Sequence, residues 1–194
     1  MKSKEEIRKF FLNKRKKYTN EFVRQQSELI CEYFFSNIQL SQNLVVHSFI
    51  TIEKNNEPDT TIIWKKIWDL YPTINICVPR IIQNSFEMEH LIVNSKTEYS
   101  INKLGIKEPI EGKLINPALI DIVLVPSILI DTKGHRIGYG KGYYDRFLTK
   151  CNPKCLKIGI TFEDMVLAST FETNTWDMAL NASISPYGYM KFTH

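Results

Sequence analysis

The chain has 194 residues, of which 43% are hydrophobic and 24% are charged. These values exclude a disordered or fibrous protein, because a chain of this length and composition buries roughly 70% of the surface that it exposes when unfolded. No apolar run approaches the roughly 18–20 residues of a membrane span, and the charged first residues do not form a secretory signal. We therefore expect one cytoplasmic globular domain over residues 1–194.

Positive charge is concentrated at the start of the chain. The formal net charge is +4, and nine of the 25 Lys and Arg residues lie within residues 1–24, beside three glutamates. The remainder of the chain is slightly acidic. A basic cluster of this kind suits phosphates, whether they belong to a nucleotide, a nucleic acid or a membrane surface.

The first predicted helix carries much of this charge. Ser3 and Glu6 have the spacing of a capping box, which marks a helix start. Lys4, Arg8 and Arg15 then lie side by side along one edge of the helix, because spacings of four and eleven residues return to nearly the same angle. Taken alone, such a basic stripe is most often a solvated helix face.

The rest of the chain alternates strands with helices. In chain order we predict a helix from Thr19, a strand at 44–50, a helix at 60–71 with Ile63, Ile67 and Leu70 buried, a strand at 74–78 that stops at Pro79, strands at 87–93 and 121–125, a helix at 143–150 and a strand at 156–162. This alternation predicts an α/β fold of three layers, Rossmann-like, with a mostly parallel central sheet. Ligands of such sheets bind beyond the carboxyl ends of the strands.

Several aromatic and cysteine side chains are assigned to packing rather than to chemistry. We expect Trp64, Trp68 and Trp176 to serve the core, as most aromatic residues do, and His47 to be a hydrogen-bonded residue within a strand. The four cysteines lack the partner spacing of a zinc site, so free and mostly buried thiols are expected.

The segment 131–146 is the part of the chain that indicates a chemical function. It holds half of the eight glycines, namely Gly134, Gly138, Gly140 and Gly142. Glycine lets backbone amides approach a phosphate closely, and the segment leads into a predicted helix whose N-terminus favours anions. Lys141 and Arg136 add full positive charges, and the Asp145 carboxylate is a suitable ligand for Mg²⁺.

This segment does not match the common nucleotide-binding motifs. No Ser or Thr follows Lys141, so it is not a Walker A loop, and the spacing G-x-G-x-G differs from the dinucleotide fingerprint. A plain glycine-rich turn is the simplest alternative. Two basic residues, two tyrosines and an acidic residue around the glycines favour a phosphate-binding loop instead.

The sequence of residues 137–146, IGYGKGYYDR, is very similar to the LGxGxGYYDR signature of the 5-formyltetrahydrofolate cyclo-ligase family. Shorter matches follow the order of the family's pattern: Lys4 with Arg8, Glu57 with Thr60, Val78 to Arg80, Gly105 to Pro109, Asp121 to Pro126, and Asp177. Together they cover essentially the whole chain. The chain departs from the pattern at two positions, where Met165 stands for a frequent Gln and Asn181 for a second Asp.

The resemblance implies an enzyme that uses ATP to convert 5-formyltetrahydrofolate into 5,10-methenyltetrahydrofolate, releasing ADP and phosphate. It implies that Mg²⁺ accompanies the ATP. The implied ATP-binding residues are Lys4, Arg8, Arg136, Gly138, Tyr139, Gly140, Lys141, Gly142, Tyr143 and Tyr144. The implied folate contacts are Ile52, Glu57 and Tyr143, the metal ligands are Asp145 and Asp177, and the catalytic residues are Lys141 and Tyr143.

Other functions remain open at this point. A noncatalytic relative that binds folate and nucleotide would carry the same motifs. A sugar-phosphate isomerase-like or CoA transferase-like enzyme would share the fold, although the glycine-tyrosine signature would then be unexplained. A nucleic-acid partner is not expected, since the chain has no familiar DNA- or RNA-binding motif. We expect a monomer whose partners are ATP and the folate, with no membrane partner.

Overall fold

The computed structural model describes residues 3–164, 171–174 and 176–193. The α-helices of this part of the chain are Lys4–Arg15 (α1), Asn20–Asn37 (α2), Thr61–Leu70 (α3) and Tyr143–Leu148 (α4). Its strands are Val45–His47 (β1), Asn75–Ile81 (β2), Met88–Val93 (β3), Tyr99–Ile101 (β4), Lys107–Pro109 (β5), Lys113–Leu114 (β6), Ile122–Pro126 (β7), Leu129–Ile130 (β8), Arg136–Ile137 (β9), Leu156–Ile160 (β10), Ala182–Ser185 (β11) and Gly188–Lys191 (β12).

An eight-stranded sheet runs through the centre in the order β12-β11-β10-β7-β1-β2-β3-β6. The five strands from β11 to β2 are parallel, whereas β12, β3 and β6 pair antiparallel at the two edges. The central strand β7 is buried from Ile122 to Val125, which is why its sequence is a continuous apolar run rather than an alternating one. The mostly parallel α/β fold predicted from the sequence is confirmed.

The two faces of the sheet are covered by different helices. Successive strand residues point to opposite faces, so Leu124 packs in one core cluster with Phe34 of α2 and Ile63 of α3. Val123 belongs to a second cluster on the other face, with Phe147 of α4. The sheet therefore forms the middle layer of three.

Side-chain caps fix the starts of the first two helices; the capping box of α1 was predicted, and α2 begins next to the predicted Thr19. The Ser3 hydroxyl accepts the amide of Glu6 at 3.2 Å, and the Glu6 carboxylate accepts the amide of Ser3 at 2.8 Å. The Thr19 hydroxyl likewise accepts the amide of Phe22 at 3.1 Å. These bonds satisfy amides that lack partners within the helix, so each helix begins at a defined residue.

Two details of the predicted elements are wrong. Strand β2 continues through Pro79 to Ile81, although we expected it to stop at the proline. Its neighbour β1 ends at His47, which pairs with Cys77, so Pro79 lies beyond β1 and needs no amide hydrogen on that side. Leu70 is also 58% exposed, because it lies at the last position of α3, past the covered part of the helix.

His47 is fully buried but does not have the hydrogen bonds that we expected. Neither ring nitrogen has a partner among the described residues. The ring packs between aromatic groups instead, with the centroid of Phe147 at 4.6 Å and that of His90 at 5.0 Å. Burial, and then the neighbouring His90, lowers the pKa of His47 well below its usual value, so the ring is neutral at pH 7.

The four cysteines are free and buried, which confirms the sequence prediction. Within the described residues, no three or more His, Cys, Asp or Glu side chains are grouped so that they could hold a metal ion on their own. No helix in the same part of the chain is long and apolar enough to cross a membrane.

Candidate active site

A cavity of about 960 Å³ lies where the parallel strands end. Ile50 follows β1, Ile81 closes β2 and Pro126 closes β7, and all three line the cavity. Its position is the usual one for ligands of an open α/β sheet, and its volume suits a ligand larger than a single nucleotide base. Every site residue predicted from the sequence lines it: Lys4, Arg8, Ile52, Glu57, Arg136, Gly138, Tyr139, Gly140, Lys141, Gly142, Tyr143, Tyr144, Asp145 and Asp177.

The glycine loop, which we define as residues 138–142, is held in place by two arginines. Arg8 of α1 donates from Nε to the Gly138 carbonyl at 2.8 Å, and Arg146 of α4 donates to the Lys141 carbonyl at 3.1 Å. A bare carbonyl oxygen would repel a phosphate. Because these two carbonyls already accept from arginines, they do not oppose an anion in the loop.

The glycines of this loop differ in whether their position tolerates a side chain. Gly140 has φ +86°, and a Cβ added there would lie 3.0 Å from the Arg8 guanidinium carbon. Gly142 has φ +70°, which side chains also rarely adopt. A Cβ at Gly138 would meet nothing within 4 Å. Gly140 is therefore needed for the loop's conformation, whereas Gly138 leaves open space in the cavity.

We expect Gly140→Ala to lower the thermal unfolding midpoint by about 2–6 °C, because a left-handed conformation costs about 1–2 kcal/mol with a Cβ. We also expect weaker ATP binding by calorimetry, since the new Cβ displaces Arg8. Gly138→Ala is the matched control for stability and should leave the midpoint unchanged. Equal midpoints for both variants would contradict this account of the loop.

Two carboxylates that line the cavity are paired with basic residues. Asp177 forms an ion pair with Lys4 and accepts the amide of Asn174 at 2.8 Å. Burial raises the pKa of Asp177, but the bonds from Lys4 and Asn174 outweigh it, so the net shift is downward. Asp145 pairs with Arg136 at 2.6 Å.

Lys141 differs from these paired residues. It is exposed, it lines the cavity, and its ammonium group has no ion-pair partner in residues 3–164, 171–174 or 176–193. Arg8 contacts a carbonyl rather than a carboxylate. The glycine loop thus lies beside two cations whose charge is not neutralised by a described acidic side chain. Such a site has a net attraction for an anion.

The Asp145 and Asp177 carboxylates have the chemistry that Mg²⁺ prefers. Mg²⁺ in nucleotide sites usually takes one or two protein carboxylates and completes its shell with phosphate oxygens and water. The bonds described for Asp145 end on Oδ1 and those for Asp177 end on Oδ2. The pair fits a metal held jointly with a phosphate, rather than one held by a protein cage.

A buried carboxylate also lines the cavity. Glu57 is 3% exposed and accepts the amide of Ile52 at 2.6 Å. Burial raises the pKa of Glu57, although Tyr139, the Ile52 amide and the charge of Arg15 act in the opposite direction. A buried carboxylate beside an open cavity is able to accept hydrogen bonds from a ligand's N–H groups.

Tyr143 forms part of the cavity wall. Its hydroxyl donates to the Ser85 carbonyl at 3.3 Å, and its ring centroid lies 6.2 Å from that of Phe86. Arg146 covers the other aromatic ring, with its guanidinium carbon 5.2 Å from the Phe86 centroid. The ring of Tyr143 is therefore fixed in orientation and is suited to contact a flat ligand. A catalytic role for its hydroxyl stays a prediction.

Other sequence expectations have different outcomes. Trp176 is 68% exposed and lines the cavity, so its assignment to the core is wrong. Arg80, which belongs to one of the shorter matches to the family pattern, is not among the residues that line the cavity and pairs with Glu89 at 2.6 Å. Asn181 accepts the amide of Lys157 at 2.9 Å and does not line the cavity. Met165 lies outside the described residues.

Sequence reasoning did not identify Lys54, which lines the cavity, or the burial of Arg15, which lies outside the cavity lining. Arg15 was grouped with the basic stripe, yet it is 1% exposed and donates toward the Tyr139 hydroxyl at 3.4 Å. Lys54 donates to the Leu104 carbonyl at 2.9 Å and brings the β4–β5 turn over the cavity. The sequence shows only that Arg15 follows Arg8 along the same edge of the helix. The contact between Lys54 and Leu104 depends on the fold.

Comparisons with known proteins agree with the site. Residues 1–186 match the 5-formyltetrahydrofolate cyclo-ligase family. The chain is 41% identical over 70 residues to a 5-formyltetrahydrofolate cyclo-ligase of Mycoplasma genitalium, covering 36% of this chain and 41% of that one. It is 34% identical over 126 residues to a probable 5-formyltetrahydrofolate cyclo-ligase of Schizosaccharomyces pombe, covering 58% of this chain and 61% of that one. The chain thus aligns with less than two thirds of each relative.

A solved structure shares the whole fold. The NMR structure of the Aquifex aeolicus 5,10-methenyltetrahydrofolate synthetase superposes with a TM-score of 0.82 at 27% sequence identity. The superposition covers 98% of this chain and 93% of the other. The match to the family over residues 1–186 agrees with this likeness of fold. The chain belongs to the 5-formyltetrahydrofolate cyclo-ligase family.

Proposed function

We propose that this protein uses ATP to convert 5-formyltetrahydrofolate into 5,10-methenyltetrahydrofolate, with release of ADP and phosphate. The observation that carries the proposal is that two chemically different groups of residues line one cavity. The glycine loop with Lys141 and Arg8 suits a triphosphate, and the buried Glu57 suits a ring that presents N–H groups. Membership of the family supports the proposal that this ring is the pterin of the folate.

The chemistry explains why the glycine loop and Glu57 line the same cavity. The formyl group on N5 is amide-like, and its oxygen is a poor leaving group. Transfer of the γ-phosphoryl group from ATP to that oxygen activates the carbon and releases ADP. N10 then attacks the carbon and loses its proton, the carbon–oxygen bond breaks, and phosphate leaves with the former formyl oxygen. Phosphoryl transfer needs positioning and charge neutralisation more than a protein nucleophile.

The chain's own residues supply those needs. In this proposal the amides of the glycine loop and the charges of Lys141, Arg8 and Lys4 bind the phosphates. Lys141 stabilises the charge on the transferring group, because no described carboxylate neutralises it. Asp145 and Asp177 would hold Mg²⁺, which neutralises phosphate charge when it is bound. Ile52 and Tyr143 flank the folate ring, and Glu57 accepts hydrogen bonds from it.

The direct test is the rise of methenyl-folate absorbance when protein, Mg²⁺-ATP and 5-formyltetrahydrofolate are mixed. We expect a rise that needs all three additions. Because the formyl oxygen accepts the phosphoryl group, we also expect ATP hydrolysis to be absent when tetrahydrofolate replaces the formyl compound. Folded protein that binds ATP and the folate without any rise would instead identify a noncatalytic binding relative, and this outcome would overturn the proposed reaction.

A further inference from the structure

Arg15 at the end of α1 is a buried charge with an unusual set of neighbours. Its side chain is 1% exposed. One terminal nitrogen donates to the Ser127 carbonyl at 2.8 Å, and the other donates to the Tyr139 hydroxyl at 3.4 Å. Burying a guanidinium is costly unless it is hydrogen-bonded and compensated by opposite charge. Neither of these two oxygens carries a full negative charge, so the compensating charge must come from further away.

One such charge is on Glu57. The hydroxyl of Tyr139 lies between the two residues and interacts with the Glu57 carboxylate as well as with Arg15. Arg15 itself acts electrostatically on Glu57. A buried cation, a phenol and a buried carboxylate therefore form a chain from α1, through the glycine loop, to the cavity. Such a chain is more strongly coupled than the same groups would be in water.

Arg15 does not itself line the cavity, whereas Tyr139 and Glu57 both do. A bound ligand would therefore meet the carboxylate and the phenol, but not the guanidinium. Any influence of Arg15 on the reaction must pass through these two residues. The Asn56 side chain, one residue before Glu57, also donates to the Arg15 carbonyl at 2.7 Å, which ties the backbone of the two segments together.

We propose that Arg15 is a positioning residue for folate binding: through the hydroxyl of Tyr139 it holds the Glu57 carboxylate oriented toward the cavity. This inference rests on the proposed function, and in particular on Glu57 as the group that binds the pterin. It assigns to the innermost residue of the basic stripe a task that differs from that of Lys4 and Arg8, which line the cavity.

The first variant is Arg15→Met, which keeps an unbranched side chain and removes the charge. We expect KM for 5-formyltetrahydrofolate to rise about tenfold, the scale for weakening one charged hydrogen bond, while KM for ATP changes less than about threefold. Arg24→Met is the matched control, because Arg24 is an exposed residue of α2 that pairs with Glu21 and Glu28. That control should leave both KM values unchanged.

The pH profile distinguishes positioning from a merely structural role. The groups that act on Glu57 are Tyr139 from the glycine loop, the amide of Ile52 and Arg15 from α1, and Glu57 in turn acts electrostatically on Tyr144 of α4. Loss of Arg15 removes the nearby positive charge, so Glu57 should bind its proton more tightly. The low-pH fall of kcat/KM for the folate should therefore move to higher pH in Arg15→Met. A structural role would lower the unfolding midpoint without moving this limb.

Two more variants complete the test. Arg15→Lys keeps the charge but not the two-pronged contact, so its KM should lie between wild type and Arg15→Met; it also serves if Arg15→Met does not fold. Tyr139→Phe removes the connecting hydroxyl. In the double variant of Arg15→Met and Tyr139→Phe, KM for 5-formyltetrahydrofolate should rise by less than the product of the two single increases, because the effects of interacting residues are not additive. Increases in KM that simply multiply in the double variant would overturn the proposal. A low-pH fall of kcat/KM that stays at the wild-type pH in both Arg15 variants would also overturn it. Wild-type protein without cyclisation would overturn the proposed function instead.

Discussion

Replacing Lys141 by alanine is expected to lower kcat by roughly 10²–10³, which is the scale for losing one group that stabilises transition-state charge. The reason is that Lys141 is free of the ion pairs that hold Lys4 to Asp177 and Arg136 to Asp145. Its charge can therefore follow the phosphoryl group as it transfers. The measurement is steady-state turnover from methenyl-folate absorbance at saturating ATP and folate.

Lys154→Ala is the appropriate control, because it removes the same charge from an exposed position that does not line the cavity. Its kcat should equal that of wild type. The ATP dissociation constant of Lys141→Ala separates the two ways in which the lysine could act. A large rise in that constant with an unchanged kcat would assign Lys141 to ground-state binding and remove it from the phosphoryl-transfer step.

The predicted elements were reliable where local rules decide the structure. The capping box at Ser3 and Glu6 and the cap at Thr19 depend on neighbours three residues away, so the sequence contains them completely. The apolar run of β7 is equally local. Pro79 was misread because the effect of its missing amide hydrogen depends on where β1 ends, and β1 lies more than thirty residues earlier in the chain.

The site shows the same division between local and long-range information. The glycine loop could be located from its own residues, and the family pattern supplied Glu57 and Asp177. Nothing local indicates that Arg15 is buried, because its position on α1 continues the stripe of Lys4 and Arg8. Its environment is created by Ser127 and Tyr139, which are more than one hundred residues away in sequence. Contacts of this kind require the fold.

Glu57→Gln is expected to raise KM for 5-formyltetrahydrofolate by roughly 10–100-fold and to leave ATP binding nearly unchanged. The factor corresponds to losing a charged hydrogen bond, about 1.5–3 kcal/mol. Glutamine keeps the volume, and its carbonyl can still accept the amide of Ile52, so the cavity keeps its shape. Direct titration with the folate and with ATP measures the two affinities separately.

Glu53→Gln provides the control for this substitution. Glu53 is an exposed carboxylate four residues earlier that does not line the cavity. Its variant should bind the folate with wild-type affinity. The low-pH fall of kcat/KM should also disappear in Glu57→Gln if that fall reports the ionisation of Glu57. Equal folate affinity for the Glu57 and Glu53 variants would remove Glu57 from the folate site.

The stability of Glu57→Gln gives an independent prediction with a definite sign. Burial raises the pKa of Glu57 in the folded protein, so the folded state binds its proton more tightly than the unfolded state. The stability of the wild type therefore decreases as pH rises from the unfolded pKa through the raised folded pKa. Glutamine has no such dependence. The unfolding midpoint of Glu57→Gln should not fall below that of wild type at pH 7, and the difference in its favour should shrink as the pH is lowered through that window. A variant that is clearly less stable at pH 7 would mean that the attraction between Glu57 and Arg15 exceeds the desolvation of the carboxylate.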